Sequence, residues 1–81
     1  MTPRMRLNLL IGLATQQQRE GVMRQVVEHL HHNNHTDRLH RVQTMQLQEC
    51  MDILTIDEID LAARALSRAL AGFPQHHGAP Q

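Results

Sequence analysis

The sequence predicts an all-α chain, a small antiparallel bundle of three to four helices completed by dimerisation. Three observations predict it. Apolar residues recur at intervals of three and four and nowhere alternate as in a half-buried strand. Capping patterns and Asn, Gly and Pro residues stand where those stripes begin and stop. The core material is thin: 81 residues carry 11 Leu, 5 Met, 4 Ile, 4 Val and 7 Ala, but one Phe and no Tyr or Trp. A chain of this size buries only about 60% of the surface it exposes unfolded, so pairing two copies would cover apolar surface left over.

Thr2 and Pro3 open the first helix, the one as N-cap, the other in a first turn where its missing N–H costs nothing. Met5, Leu9, Leu10 and Leu13 make its face, with Leu7, Ile11 and Ala14 widening it. Gly12 costs about 1 kcal/mol against Ala in a helix interior, which points to close packing or a kink. Thr15 and Gln18 form a capping-box pattern. No breaker lies between Gln16 and Glu20, so one long helix over residues 3–32 is favoured over two.

Val22, Met23, Val26, Val27 and Leu30 share one face, with Glu20–Arg24 and Arg24–Glu28 as i,i+4 pairs away from it. Asn33 and Asn34 end the stripe, since Asn tolerates the left-handed conformation after a helix. Thr36 is the next expected N-cap, with Asp37 in the first turn. The third helix is expected to carry Leu39, Val42, Leu47, Cys50, Ile53 and Leu54, a stripe broken by Gln43 and Gln46. Thr55 and Glu58 then make the clearest capping box, with Leu54 and Ile59 as its hydrophobic staple. The last helix presents Ile56, Ile59, Ala63, Leu66 and Leu70 as a heptad-like seam, with Ala62 and Ala69 beside it. Asp57, Glu58 and Asp60 lie at its positive end, and Arg64 and Arg68 further along. Gly72 and Pro74 stop it. Residues 1–73 therefore read as one helical domain and 74–81 as a disordered tail.

Charge narrows the function classes. Eight Arg balance eight acids, with no Lys. Six Arg face four acids in residues 1–50, and two Arg face four acids thereafter. A strongly basic phosphate-binding surface is absent. No apolar run reaches the roughly 20 residues of a membrane span. Arg4 and Arg6 before Leu7–Ala14, with Gly12-Leu13-Ala14 as a small-x-small triplet, sketch a secretory leader. Asn8 interrupts that short run, and a cytoplasmic location is expected instead.

Seven His are the oddity, with His29, His31, His32, His35 and His40 around one turn and His76 and His77 near the end. Neutral imidazole ligates metals, so a His-cluster metal protein is one reading. The spacing argues against it: Asn33-Asn34 should break the helix that a His31/His35 pair would need, and a structural site usually has paired Cys, where this chain has one. No metal or cofactor is expected. Seven groups titrating near pH 6.5 should make the neutral chain cationic on acidification. Cys50 shares a face with Leu47 and Leu54 and reads as a core residue. No nucleophile elbow or Gly-rich loop supports a catalytic site, so no enzyme is expected.

The stretch from Leu47 to Ile59, with its L-x4-D-I-L-x2-D-x-I spacing, resembles the C-terminal region of a biofilm regulator family of small enterobacterial helical proteins. The resemblance spans 13 residues of 81. Gln43 and Thr44 stand where that family would have apolar residues, and no functional residue is transferred. It implies a bacterial stress or biofilm regulator.

The favoured reading is a small non-enzymatic protein-binding module (a regulator, adaptor or inhibitor) that dimerises with itself and engages an unidentified protein. Its interface is expected at Val22, Val26, Leu30, Ile59, Ala63, Leu66 and Leu70, and no membrane is involved. The alternative is a DNA-binding regulator that contacts nucleic acid through Arg38 and Arg41, on the helix after the His/Asn turn.

Overall fold

The fold is given by a computed structural model that describes residues 1–72. Among these it contains four α-helices, one short 3-10 turn and no strand, a small all-α bundle. The first helix, α1, runs Pro3–Leu13, and the Thr2 hydroxyl accepts the Met5 N–H at 3.1 Å. The chain then becomes extended at Ala14 and Thr15, and α2 starts separately as Gln16–His32. The single helix expected over 3–32 is therefore two. The Thr15 box forms in full: its hydroxyl accepts the Gln18 N–H at 3.1 Å, and Gln18 Oε1 accepts the Thr15 N–H at 2.9 Å. Arg19 closes the other side of the break by donating to the Ala14 carbonyl at 2.6 Å. With both helix ends satisfied, a breaker residue is not needed.

Helix α2 ends as its asparagines suggest. Asn34 is left-handed at φ 60, its N–H reaches the His31 carbonyl, and the His35 N–H reaches the Leu30 carbonyl at 3.0 Å. This is the paired C-terminal closure in which two orphan carbonyls find donors. The next helix, α3, is short, Thr36–Val42. His35 rather than Thr36 is its N-cap and makes no side-chain cap bond, while Asp37 does lie in the first turn. The helix expected to continue to Leu54 stops at Val42. Residues 43–54 form consecutive tight turns, including the 3-10 turn Leu47–Glu49. Leu47, Cys50, Met51 and Leu54 are buried all the same. Spacings of three and four suit a string of i,i+3 turns as well as a helix.

The last helix, α4, is Ile56–Leu70. The Thr55 hydroxyl accepts the Glu58 N–H at 3.2 Å, Glu58 Oε1 accepts the Thr55 N–H at 2.8 Å, and Leu54 and Ile59 are both buried. Gly72 closes the helix with φ 75, donating to the Ala69 carbonyl at 3.1 Å. Pro74, His76, His77 and the tail expected over 74–81 lie outside the described residues.

Helix α4 is the hub, packing against both α1 and α2, while α3 packs on α2. Arg4, early in α1, reaches the Met51 carbonyl and Asp52 just ahead of α4, so α1 and α4 begin at the same end. Gln18, early in α2, donates to the Ala69 carbonyl at the far end of α4, so α2 runs antiparallel to it. Ala62, Ala63 and Ala65 give α4 a low surface on which its neighbours settle closely, and Ile59 and Leu66 fill the space between.

Candidate protein-binding face

Six of the seven residues expected at an interface belong to the chain's own core. Val22, Val26, Leu30, Ile59, Ala63 and Leu66 are at most 1% exposed within a single copy. The expectation that they face a partner is corrected: the α2 stripe and the α4 seam cover each other. Leu70 is half-buried at the edge of the same cluster. Ile56, placed in the seam by its spacing, is 61% exposed.

Arg38 is also committed inside the chain. It leaves α3 to grip Glu58 in two hydrogen bonds, from Nη1 to Oε1 and from Nη2 to Oε2, the latter at 2.8 Å, and Nη1 also donates to the Ile53 carbonyl. Burial alone would raise the Glu58 carboxyl, but the Arg38 hydrogen bonds, the Thr55 N–H and the nearby cation outweigh it and hold the carboxyl down at about 2. This forked pair ties α3 to the first turn of α4. A nucleic-acid surface built on Arg38 and Arg41 thus has its Arg38 turned to Glu58 and the Ile53 carbonyl, which take three of its five N–H donors, while Arg41 is exposed on α3. The Arg38–Glu58 pair was missed in the sequence because 20 positions separate its members and no periodicity links them.

Cys50 is fully buried, with its Sγ 3.3 Å from the Gln46 carbonyl and 3.7 Å from Met23 Sδ. Desolvation, helped by Glu49, pushes its thiol up to about 11. That suits a packing residue and not a nucleophile. Among the described residues no group of three or more His, Cys, Asp or Glu side chains is arranged to hold a metal ion. No described helix is long and apolar enough to cross a membrane.

What remains apolar and open is the outer side of α1. Met5 is 55% exposed, Leu9 57% and Leu13 73%, and Met1 lies open just before the helix. At spacing i, i+4, i+8 these three form one row along α1. They were expected to be the packed face, but the packed face is the other one: Leu7 is fully buried, with Leu10, Ile11 and Ala14 partly so. Helix α1 is thus apolar on both sides and covered on one. The reason is local. Its sequence carries no acid, its two Arg lie near its start, and beyond them Asn8 is its one polar side chain, so the outward face is weakly marked. Arg4 is drawn aside to Asp52. Gly12 sits beside Leu9 and Leu13, and a Cβ built there would meet nothing within 4 Å. The expected close packing at Gly12 is not found among the described residues.

A groove of about 470 Å³ between α2 and α4 has a mixed lining, Val22, Ala65 and Ala69 beside Gln18, Gln25 and Arg68, and a wider one of about 640 Å³ runs over Met23 and Val27 of α2. No family model, curated protein or solved structure matches the chain.

Proposed function

We propose that this chain is a small non-enzymatic protein-binding module, a cytoplasmic regulator, adaptor or inhibitor that works through the outer face of α1. One observation carries the reading: a helix apolar on both sides, with Met5, Leu9 and Leu13 in line and open. A helix apolar on two sides belongs inside something, and among the described residues only one of those sides is covered. Contiguous exposed apolar patches on small proteins mark interaction sites, and Met side chains adapt to the surface they meet. The groups that could do chemistry support the same reading. Cys50 is buried and protonated, and Glu58 is locked by Arg38 and Thr55.

The test is site-specific photocrosslinking in cells. A photoreactive side chain placed at Leu9 or Leu13 should give discrete crosslinked protein products, and one placed at Arg41 or Gln25, exposed on other elements, should not. Equal or absent products at the four positions would remove α1 as the binding face.

A further inference from the structure

We infer that the groove between α2 and α4 is the seat of the chain's own next segment, residues 73–77, with the Phe73 ring in the hollow over Val22, Ala65 and Ala69. The inference is independent of the reading of α1. It starts from the point where the described residues stop. The Ala69 carbonyl accepts the Gly72 N–H at 3.1 Å and the Gln18 side-chain amide at 3.3 Å, and both Gln18 and Ala69 line the groove. Gly72 therefore stands at the mouth of the groove. Ala65 and Arg68 line it as well, and steps of three and four carry that stripe of α4 on to Gly72. With φ 75, Gly72 turns the chain out of the helix on this side, and the residue that follows is Phe73. In glycine closures of this kind the residue after the glycine frequently packs back on the last turn of the helix.

Shape, reach and charge fit the segment to the groove. Gly21, Ala65 and Ala69 bring little or no side chain to its walls, which is what leaves about 470 Å³ open. Phe73 is the one aromatic residue of the chain, and a covered ring buries roughly 150–250 Å². Pro74 biases Phe73 toward extended backbone. A segment laid extended in a groove needs no helical periodicity, and residues 74–81 have none. At about 3.1 Å per residue the path from Gly72 to His77 covers about 16 Å. Along α2, Gln18 to Glu28 covers about 15 Å. His76 and His77 then arrive beside Glu28, the one acid lining the groove, which makes no ion pair among the described residues. Tethering favours this occupant over a separate partner. A segment joined by a short link meets its site at an effective concentration of about millimolar or more, before any other molecule binds.

Nuclear magnetic resonance of the full chain tests the inference, because a single Phe gives a single set of phenyl signals. The ring should show nuclear Overhauser contacts to the methyl groups of Val22, Ala65 and Ala69, and those methyls should be shifted upfield by the ring current. Phe73→Ala should abolish the upfield shifts and keep the helical circular dichroism. Ring signals without contacts to the groove overturn the inference. So do contacts to Met5, Leu9 or Leu13, which would place the segment on α1. Contacts that appear only between labelled and unlabelled chains in a mixed sample overturn it too, since the segment would then sit on another copy. Glu28→Gln should move the His76 and His77 ring signals, and if both stay in place the course along the groove is overturned.

Discussion

Replacing Arg38 with Met is expected to destabilise the chain by about 2–3 kcal/mol at neutral pH, with a loss that fades in acid. The Glu58 side chain is 5% exposed and that of Arg38 is 23% exposed. Holding the Glu58 carboxyl at about 2 against an ordinary 4.5 corresponds to about 3 kcal/mol of folding free energy. Part of that belongs to Thr55, whose N–H also serves the carboxylate and survives the substitution. Against this, removing Arg38 leaves a nearly buried carboxylate without its cation, a change that typically costs about 3–5 kcal/mol in fully buried pairs. The two considerations meet near 2–3 kcal/mol, or roughly 10–20 °C in Tm for a domain this small. Because the folded carboxyl is depressed, its stabilisation is complete above the ordinary value of 4.5 and disappears as pH falls toward about 2. Urea melts of parent and Arg38→Met at pH 7, 5, 4 and 2.5 should therefore converge in acid. Equal stabilities at pH 7, or a gap of the same size at pH 2.5, would show that the pair does not hold α3 to α4.

Leu66→Ala should cost about 2–5 kcal/mol and unfold or nearly unfold the chain, since Leu66 is fully buried, while Arg68→Ala on the exposed side should cost well under 1 kcal/mol. Paired circular dichroism melts compare them, and equal melting temperatures would mean the α4 register is wrong. Gly12→Ala should stabilise the monomer by about 1 kcal/mol, because the site is helical and open, and a lower melting temperature in dilute solution would contradict the packing of α1. Cys50 should react with a thiol reagent at pH 8 only at the rate of global unfolding, given full burial and a thiol near 11; rapid labelling of the native chain would contradict it.

The parts of this fold that could be read in the sequence are those decided within a few residues. The Thr55–Glu58 box with its Leu54–Ile59 staple, the asparagine closure of α2 and the glycine closure of α4 all depend on neighbours close along the chain. Thr15 and Gln18 gave an equally local signal, and it outweighs the absence of a breaker between residues 16 and 20. What the sequence concealed depends on contacts between distant segments. In α1, apolar residues point in most directions, so periodicity has no phase, and the alanine-lined side of α4 decides that Leu7 and not Leu9 turns inward. From Val42 to Leu54 the spacing fits helix and turns alike, and the Gln46–Glu49 turn, with the Gln46 N–H bonded to Glu49 Oε1 at 2.8 Å, settles the matter. Glu58 could be read as a cap but not as the anchor of Arg38. The candidate face was hidden for the same reason as the α1 register: the strongest apolar stripes are spent on each other, and the open surface is the residue of that pairing.

That residue follows from the composition of α4. Alanine at positions 62, 63 and 65 lets α1 and α2 come close, but it leaves little depth for large side chains between them. From α1, Leu7 is fully buried, and the Arg4–Asp52 pair that assists it is exposed and contributes at most about 1 kcal/mol. Helix α1 therefore has one fully buried side chain, as α3 has, and carries the most large apolar side chains still in water among the described helices. Any partner that covers Met5, Leu9 and Leu13 stabilises α1 against opening by the free energy of its own binding. Folding of α1 and occupancy of its outer face are then thermodynamically linked, and the melting temperature of this helix should rise with whatever concentration fills that face.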